Sequence, residues 1–155
     1  MERKEAPLSR SRPPAGRGSL LLVEHDAALR KAIGLCLQED GWRILAASDA
    51  TEACRVLERE TPEVLVLNAG PSPDRRGAAV ASFRERREPG RRGFVVVTAD
   101  QHLEEAWRRE YRPDAVVFKP FDIRHLARRI SRLVGDPPDR RGAAGDGCRA
   151  PGGNR

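Results

Sequence analysis

The stretch Leu20-Leu21-Leu22-Val23-Glu24-His25-Asp26 decides how the rest of the chain reads. A short, unbroken apolar run without polar alternation suits a strand buried on both faces, the habit of parallel sheets. The run stops at a polar triplet. Beyond it Leu29, Ala32, Ile33, Cys36 and Leu37 fall at i, i+3, i+4, i+7 and i+8, the inward stripe of an amphipathic helix. Gly41 stands near the helix end, where a left-handed residue is favoured. A strand, a polar turn and a helix make one βα unit.

The same alternation continues outward. Arg43 to Ala47 reads as a second strand, and Asp49 caps a helix whose Ala50, Ala53, Cys54 and Leu57 face inward. Pro62 closes that helix off, and Glu63 to Leu67 is a third strand. A breaker-rich stretch from Gly70 to Gly77 precedes a short helix with Val80 and Phe83 inward. Phe94 to Thr98 is the cleanest strand. Leu103, Ala106 and Trp107 mark a fourth helix, and Ala115 to Phe118 a fifth strand. Ile123, Leu126, Ile130, Leu133 and Val134 then mark a fifth helix capped by Asp122. Five βα units predict an α/β fold: a doubly wound five-stranded parallel sheet with five helices on its two faces and right-handed crossovers.

Composition limits what else the chain can be. Its 155 residues suit one domain, and the apolar residues are concentrated between Leu20 and Val134. Residues 1–18 and 136–155, rich in Pro, Gly and Arg, read as a disordered leader and tail around a domain at 19–135. No run approaches the roughly 18 apolar residues that span a bilayer, and the N-terminus lacks a signal-peptide pattern, so a cytoplasmic protein with no membrane contact is expected. Cys36 and Cys54 sit at inward helical positions and Cys148 in the tail, which is neither a disulfide framework nor a metal-ligand spacing. The net charge is +6, yet much of the excess lies in the two ends, leaving the core at +2. Without interleaved aromatics or a reading element, nucleic-acid binding through the Arg-rich ends is a secondary alternative.

In parallel α/β sheets ligand chemistry gathers at the carboxyl ends of the strands, near the switch in strand order. That rule nominates Glu24, His25 and Asp26 after the first strand, Asn68 ending the third, Thr98 ending the fourth and Lys119 ending the fifth. An acid, an amide, a hydroxyl and an ammonium group, each terminating an apolar run, have the makings of one pocket.

Over Ser19 to Val134 the chain resembles the receiver domains of bacterial two-component response regulators. The resemblance is carried by the decapeptide starting at Leu21 and by Pro-Glu-Val-Leu-Val-Leu-Asn from Pro62. Val-Val-Val-Thr-Ala from Val95 and Val-Phe-Lys-Pro-Phe from Val117 carry it further. It implies a flavodoxin-like (βα)5 fold. It also implies roles: acidic residues after the first strand bind Mg2+, an aspartate at the Asn68 position accepts a phosphoryl group, Thr98 contacts that group and Lys119 neutralises it. The Lys119-Pro120 bond is implied to be a cis candidate.

Against that pattern the chain departs at several points. Asn68 is a neutral amide where nucleophilic attack needs an anionic oxygen, which implies a degenerate receiver that forms no acyl phosphate. His25 offers nitrogen where a hard cation prefers oxygen, and Asp26 lies one position along. Only Glu24 remains as a metal ligand, so no cofactor is expected and Mg2+ binding should be weak or absent. Val116 replaces a switching aromatic with a stiff branched side chain. Pro71, Pro73 and Gly77 suggest a small insertion after the third strand. Lys119 should pair with Glu24 and donate to the Asn68 oxygen.

The expected function is a stand-alone, phosphorylation-independent receiver in a phosphorelay, not an enzyme. It would bind a histidine kinase, another regulator or itself through the face of the fourth helix, fifth strand and fifth helix, where Arg108, Arg109, Arg112, Arg124 and Arg128 would be basic. The alternative is an enzyme on the same fold, a phosphatase or a nucleotide- or flavin-dependent catalyst. The turn at Glu24-His25-Asp26-Ala27-Ala28 argues against it, having neither a dinucleotide fingerprint nor a phosphate-cradling loop.

Overall fold

Strands and helices alternate through the computed structural model, which describes residues 16–69, 75–87 and 93–135. The strands are β1 (Gly18–Val23), β2 (Trp42–Ala47), β3 (Val64–Asn68), β4 (Phe94–Asp100) and β5 (Ala115–Lys119). The helices are α1 (Ala27–Glu39), α2 (Ala50–Leu57), α3 (Arg76–Glu85), α4 (Glu104–Tyr111) and α5 (Ile123–Val134), with a 3₁₀ turn at Gln101–Leu103 before α4. All strand pairs are parallel, in the order β2-β1-β3-β4-β5. This is the five-unit doubly wound fold that the alternation predicts. Residues 1–15 of the leader expected at 1–18, the tail at 136–155 with Cys148, and Pro71 and Pro73 lie outside the described residues.

The continuous apolar runs have a simple consequence: alternate residues of each strand feed different cores. Leu21, Val23, Leu65, Leu67, Val95 and Val97 pack with Ala53, Leu57, Val80, Phe83 and Tyr111 from α2, α3 and α4. Leu20, Leu22, Val64, Val66, Val96 and Val117 pack with Ile33, Leu37, Leu126 and Ile130 from α1 and α5. Three helices start from side-chain caps: Asp26 accepts from Leu29 N, Asp49 from Glu52 N and Asp122 from Arg124 N.

Several sequence expectations shift. β1 begins at Gly18, and Arg17 joins the fold by donating from its backbone N to Gly41 O at 3.1 Å and from Nε to Asp40 O at 3.0 Å. Ala32 is exposed, because α1 rests on Ile33, Gly34 and Leu37. Gly34 faces β2, where a Cβ would meet Ile44 at 3.8 Å, an ordinary contact. Ala106 is exposed too. The inward line of α4 runs through Leu103, Trp107 and Tyr111, with Tyr111 fully packed.

Candidate functional site

The strand order reverses between β1 and β3, since β1 turns to β2 on one side and to β3 on the other. Val23 and Leu67 are register partners there, so the next residues, Glu24 and Asn68, emerge side by side at the carboxyl edge. Thr98 is the β4 partner of Asn68, and Lys119 ends β5 opposite Asp100. The switch point therefore gathers residues from four strands.

The contacts form a chain. Asn68 Nδ2 donates to Glu24 Oε2 at 2.8 Å, and Lys119 Nζ donates to Asn68 Oδ1. The carboxamide serves both neighbours because it carries donors on one atom and acceptor lone pairs on the other. Glu24 is only 4% exposed, and its other oxygen, Oε1, accepts from Asp26 N at 3.1 Å. A buried carboxylate is tolerated only when such bonds replace its water. Thr98 is buried as well, and its carbonyl receives Ala69 N at 2.9 Å, which holds the backbone just past Asn68. The Lys119-Pro120 peptide is cis.

One expectation about this pocket is corrected, and two of its residues are placed at the turn. The anticipated pair between Lys119 and Glu24 is not direct among the described residues, because the Asn68 side chain stands between them. His25 is exposed at the turn. Asp26 is exposed, and its carboxylate is spent on the first turn of α1, accepting from Leu29 N at 2.9 Å. Residue parity explains both: the chain leaves β1 at Glu24 and must turn at once to start a helix two residues later.

Sequence reasoning missed Arg30, whose Nη1 donates to Glu24 O at 2.9 Å and ties the turn to α1. An arginine one turn into a helix carries no signature of that task. It also missed Arg76, a buried residue at the start of α3 whose guanidinium lies 5.3 Å over the Trp107 ring, which in turn stacks on Tyr111 at 5.4 Å. The i, i+4, i+8 series Leu103, Trp107 and Tyr111 was a usable signal for the ring pair. Val116 is buried at 5% in the middle of β5, opposite Val97.

The five arginines expected on a basic docking face are all exposed, on the two helices that flank the edge strand β5. Arg108 pairs with Glu104 at 2.6 Å and Arg109 with Glu105 at 3.2 Å, each one turn away along α4. Arg124 and Arg128 line a cleft against α1, which lies on the opposite side of the sheet from α4. Arg112 is exposed at the left-handed end of α4.

Sheet order, site position and likeness to known proteins together define the class: the chain has the receiver fold of response regulators and is similar to them in sequence. Its sequence is 30% identical over 120 residues to the virulence transcriptional regulatory protein PhoP of Salmonella typhimurium, covering 74% of this chain and 51% of that protein. It is 26% identical over 116 residues to the probable transcriptional regulatory protein TcrX of Mycobacterium tuberculosis, covering 75% and 49%. The chain thus spans about half the length of the curated relatives it matches. No protein-family model matches it.

Among solved structures the fold is similar to the receiver domain of the sensor histidine kinase PA1611 from Pseudomonas aeruginosa, which has a magnesium ion coordinated in its active-site cleft. The TM-score is 0.61 at 24% identity, covering 77% of this chain and 98% of that one. The chemotaxis protein CheY4 of Vibrio cholerae gives 0.63 at 15% identity, covering 74% and 97%. Among the described residues no helix is long and apolar enough to cross a membrane.

Proposed function

We propose that this receiver domain works in two-component signalling without phosphoryl transfer at Asn68, by binding a partner protein from a fixed conformation. The single observation behind this reading is the Glu24–Asn68–Lys119 chain. A carboxylate at the position of Asn68 would be an anionic nucleophile; a carboxamide has no charge to offer and its nitrogen lone pair is delocalised. Here the amide also satisfies the two ions that an aspartate and a metal would otherwise engage.

The donor set does not fit Mg2+. That ion wants an octahedral shell of oxygens held by one or more free carboxylates. Both oxygens of Glu24 already accept hydrogen bonds, Asp26 is committed to the helix cap, and His25 offers nitrogen. In this reading the domain is a cytoplasmic binding module and not an enzyme, and Val116 has no rotamer switch to throw. Its partner is a histidine kinase, another regulator or a second copy of the chain.

The test is incubation with acetyl phosphate and Mg2+, followed by intact-mass measurement. The unmodified mass is expected, and an Asn68→Asp variant serves as the positive arm. A stoichiometric phosphoprotein that disappears in Asn68→Ala would overturn the reading.

A further inference from the structure

On the α1–α5 side, away from the carboxyl-edge site, a cleft of about 340 Å³ opens between the two helices, lined by Arg17, Cys36, Asp40, Arg124, Arg128 and Ser131 among others. Its size falls at the small end of sites that hold compact ligands, where roughly 300 Å³ and upward is usual. We propose that it binds a phosphate-bearing small molecule, held by the guanidinium groups of Arg124 and Arg128 from α5.

The charge pattern of α5 is the reason. Ile123–Val134 contains Arg124, His125, Arg128, Arg129 and Arg132 and no acidic residue. Arg124 and Arg128 stand one turn apart, an arrangement of like charges that costs about 0.2–0.5 kcal/mol, and Arg124 also sits in the first turn, where the helix dipole disfavours a cation. Neither side chain has a hydrogen bond or ion pair with a described residue. The contrast lies within the same chain: on α4 the equivalent spacing is used to pair Arg108 and Arg109 with acids one turn back. A self-repelling row that has no partner among the described residues and faces a cleft is what an incoming anion would stabilise, since phosphate oxygens take charge-assisted, often bidentate bonds from arginine.

The remaining walls are compatible with an anion. Arg17 is positioned at the cleft by its Nε bond to the Asp40 carbonyl. Ser131 supplies a hydroxyl. Burial, followed by the nearby Asp40 carboxylate, pushes the Cys36 thiol up from its ordinary range, so it stays neutral at pH 7. The Asp40 carboxylate is the one opposing charge among the lining residues. Asp40, Glu39 and Asp122 also act on Cys36 from around the cleft, so the anion would be held by the Arg124 and Arg128 side chains themselves, and the concave shape favours a compact ligand over a flat polymer.

The test uses the full chain, with inorganic pyrophosphate as probe, by calorimetry and ¹H–¹⁵N NMR. Saturable binding is expected, with the largest amide shifts at Cys36, Arg128 and Ser131. In Arg124→Gln/Arg128→Gln the affinity should fall by about tenfold or more, the scale of one lost charge-assisted bond. Arg108→Gln/Arg109→Gln, which removes the same charge elsewhere, should leave it nearly unchanged. The proposal is overturned by absence of saturation, by shifts centred outside the cleft, by equal weakening in both double variants, or by saturable binding of polyglutamate with none of pyrophosphate. The shift map of the unsubstituted protein decides the matter even if a variant fails to fold. None of these readouts involves Asn68, so this result stands or falls separately from the signalling reading.

Discussion

Asn68 Nδ2 lies 2.8 Å from Glu24 Oε2, so an amide donor meets the buried carboxylate at the switch point of the sheet. Replacing the donor nitrogen by a second carboxylate oxygen turns attraction into repulsion between two acids beside one lysine. Asn68→Asp should therefore lose about 1–3 kcal/mol in urea unfolding at pH 7 without added metal, the cost of stranding a buried charged group. Millimolar Mg2+ should restore part of that loss in the variant and leave the unsubstituted protein's midpoint unchanged.

The start of α2 is held by a reciprocal pair of bonds. Asp49 Oδ1 accepts from Glu52 N at 2.7 Å, while Glu52 Oε2 accepts from both the N and the Oγ of Ser48 at 2.7 Å. Asp49→Ala should cost about 1 kcal/mol, read as a lower midpoint with an unchanged m-value.

Those Ser48 bonds, backbone first and hydroxyl second, hold the Glu52 carboxyl below the ordinary carboxylate range. A carboxyl whose folded pKa is depressed stabilises the fold fully above its unfolded pKa, and that contribution fades as pH falls through the folded value. Glu52→Gln should thus be less stable than the unsubstituted protein at pH 7, with the gap closing on acidification below about pH 4.5. A gap that stays constant from pH 7 to acid would contradict the assignment.

Arg84 Nη2 donates to the carbonyls of Tyr111 at 2.6 Å and Arg112 at 2.9 Å, closing the end of α4 from α3. Helix-end carbonyls need such donors. Arg84→Ala should lose about 1–2 kcal/mol and speed amide exchange in the last turn of α4. Arg76→Gln should instead alter Trp107 fluorescence, because it removes a cation from 5.3 Å above that ring.

Phe83 is 2% exposed in the core shared by α2, α3 and α4. Phe83→Ala should cost about 3–5 kcal/mol by thermal or urea unfolding. This is the largest effect expected of any substitution described here.

The chain's own pattern determined its architecture. Short runs such as Leu20–Val23 and Phe94–Thr98 cannot avoid burial on two faces, and the helical stripes between them must cover those faces, so the parallel sheet follows from periodicity. The same pattern placed Glu24, Asn68, Thr98 and Lys119 at one edge, because strand ends in such a sheet share an edge. Tertiary structure alone decided which polar groups turn inward. The sequence put His25 and Asp26 at the strand end, and the fold leaves both exposed and commits the Asp26 carboxylate to the first turn of α1. Arg108 and Arg124 look alike as exposed helical arginines, yet one is paired and the other lines a cleft. Hydrophobic spacing carries information about burial at every third or fourth residue, whereas the direction of a long polar side chain depends on partners far away along the chain.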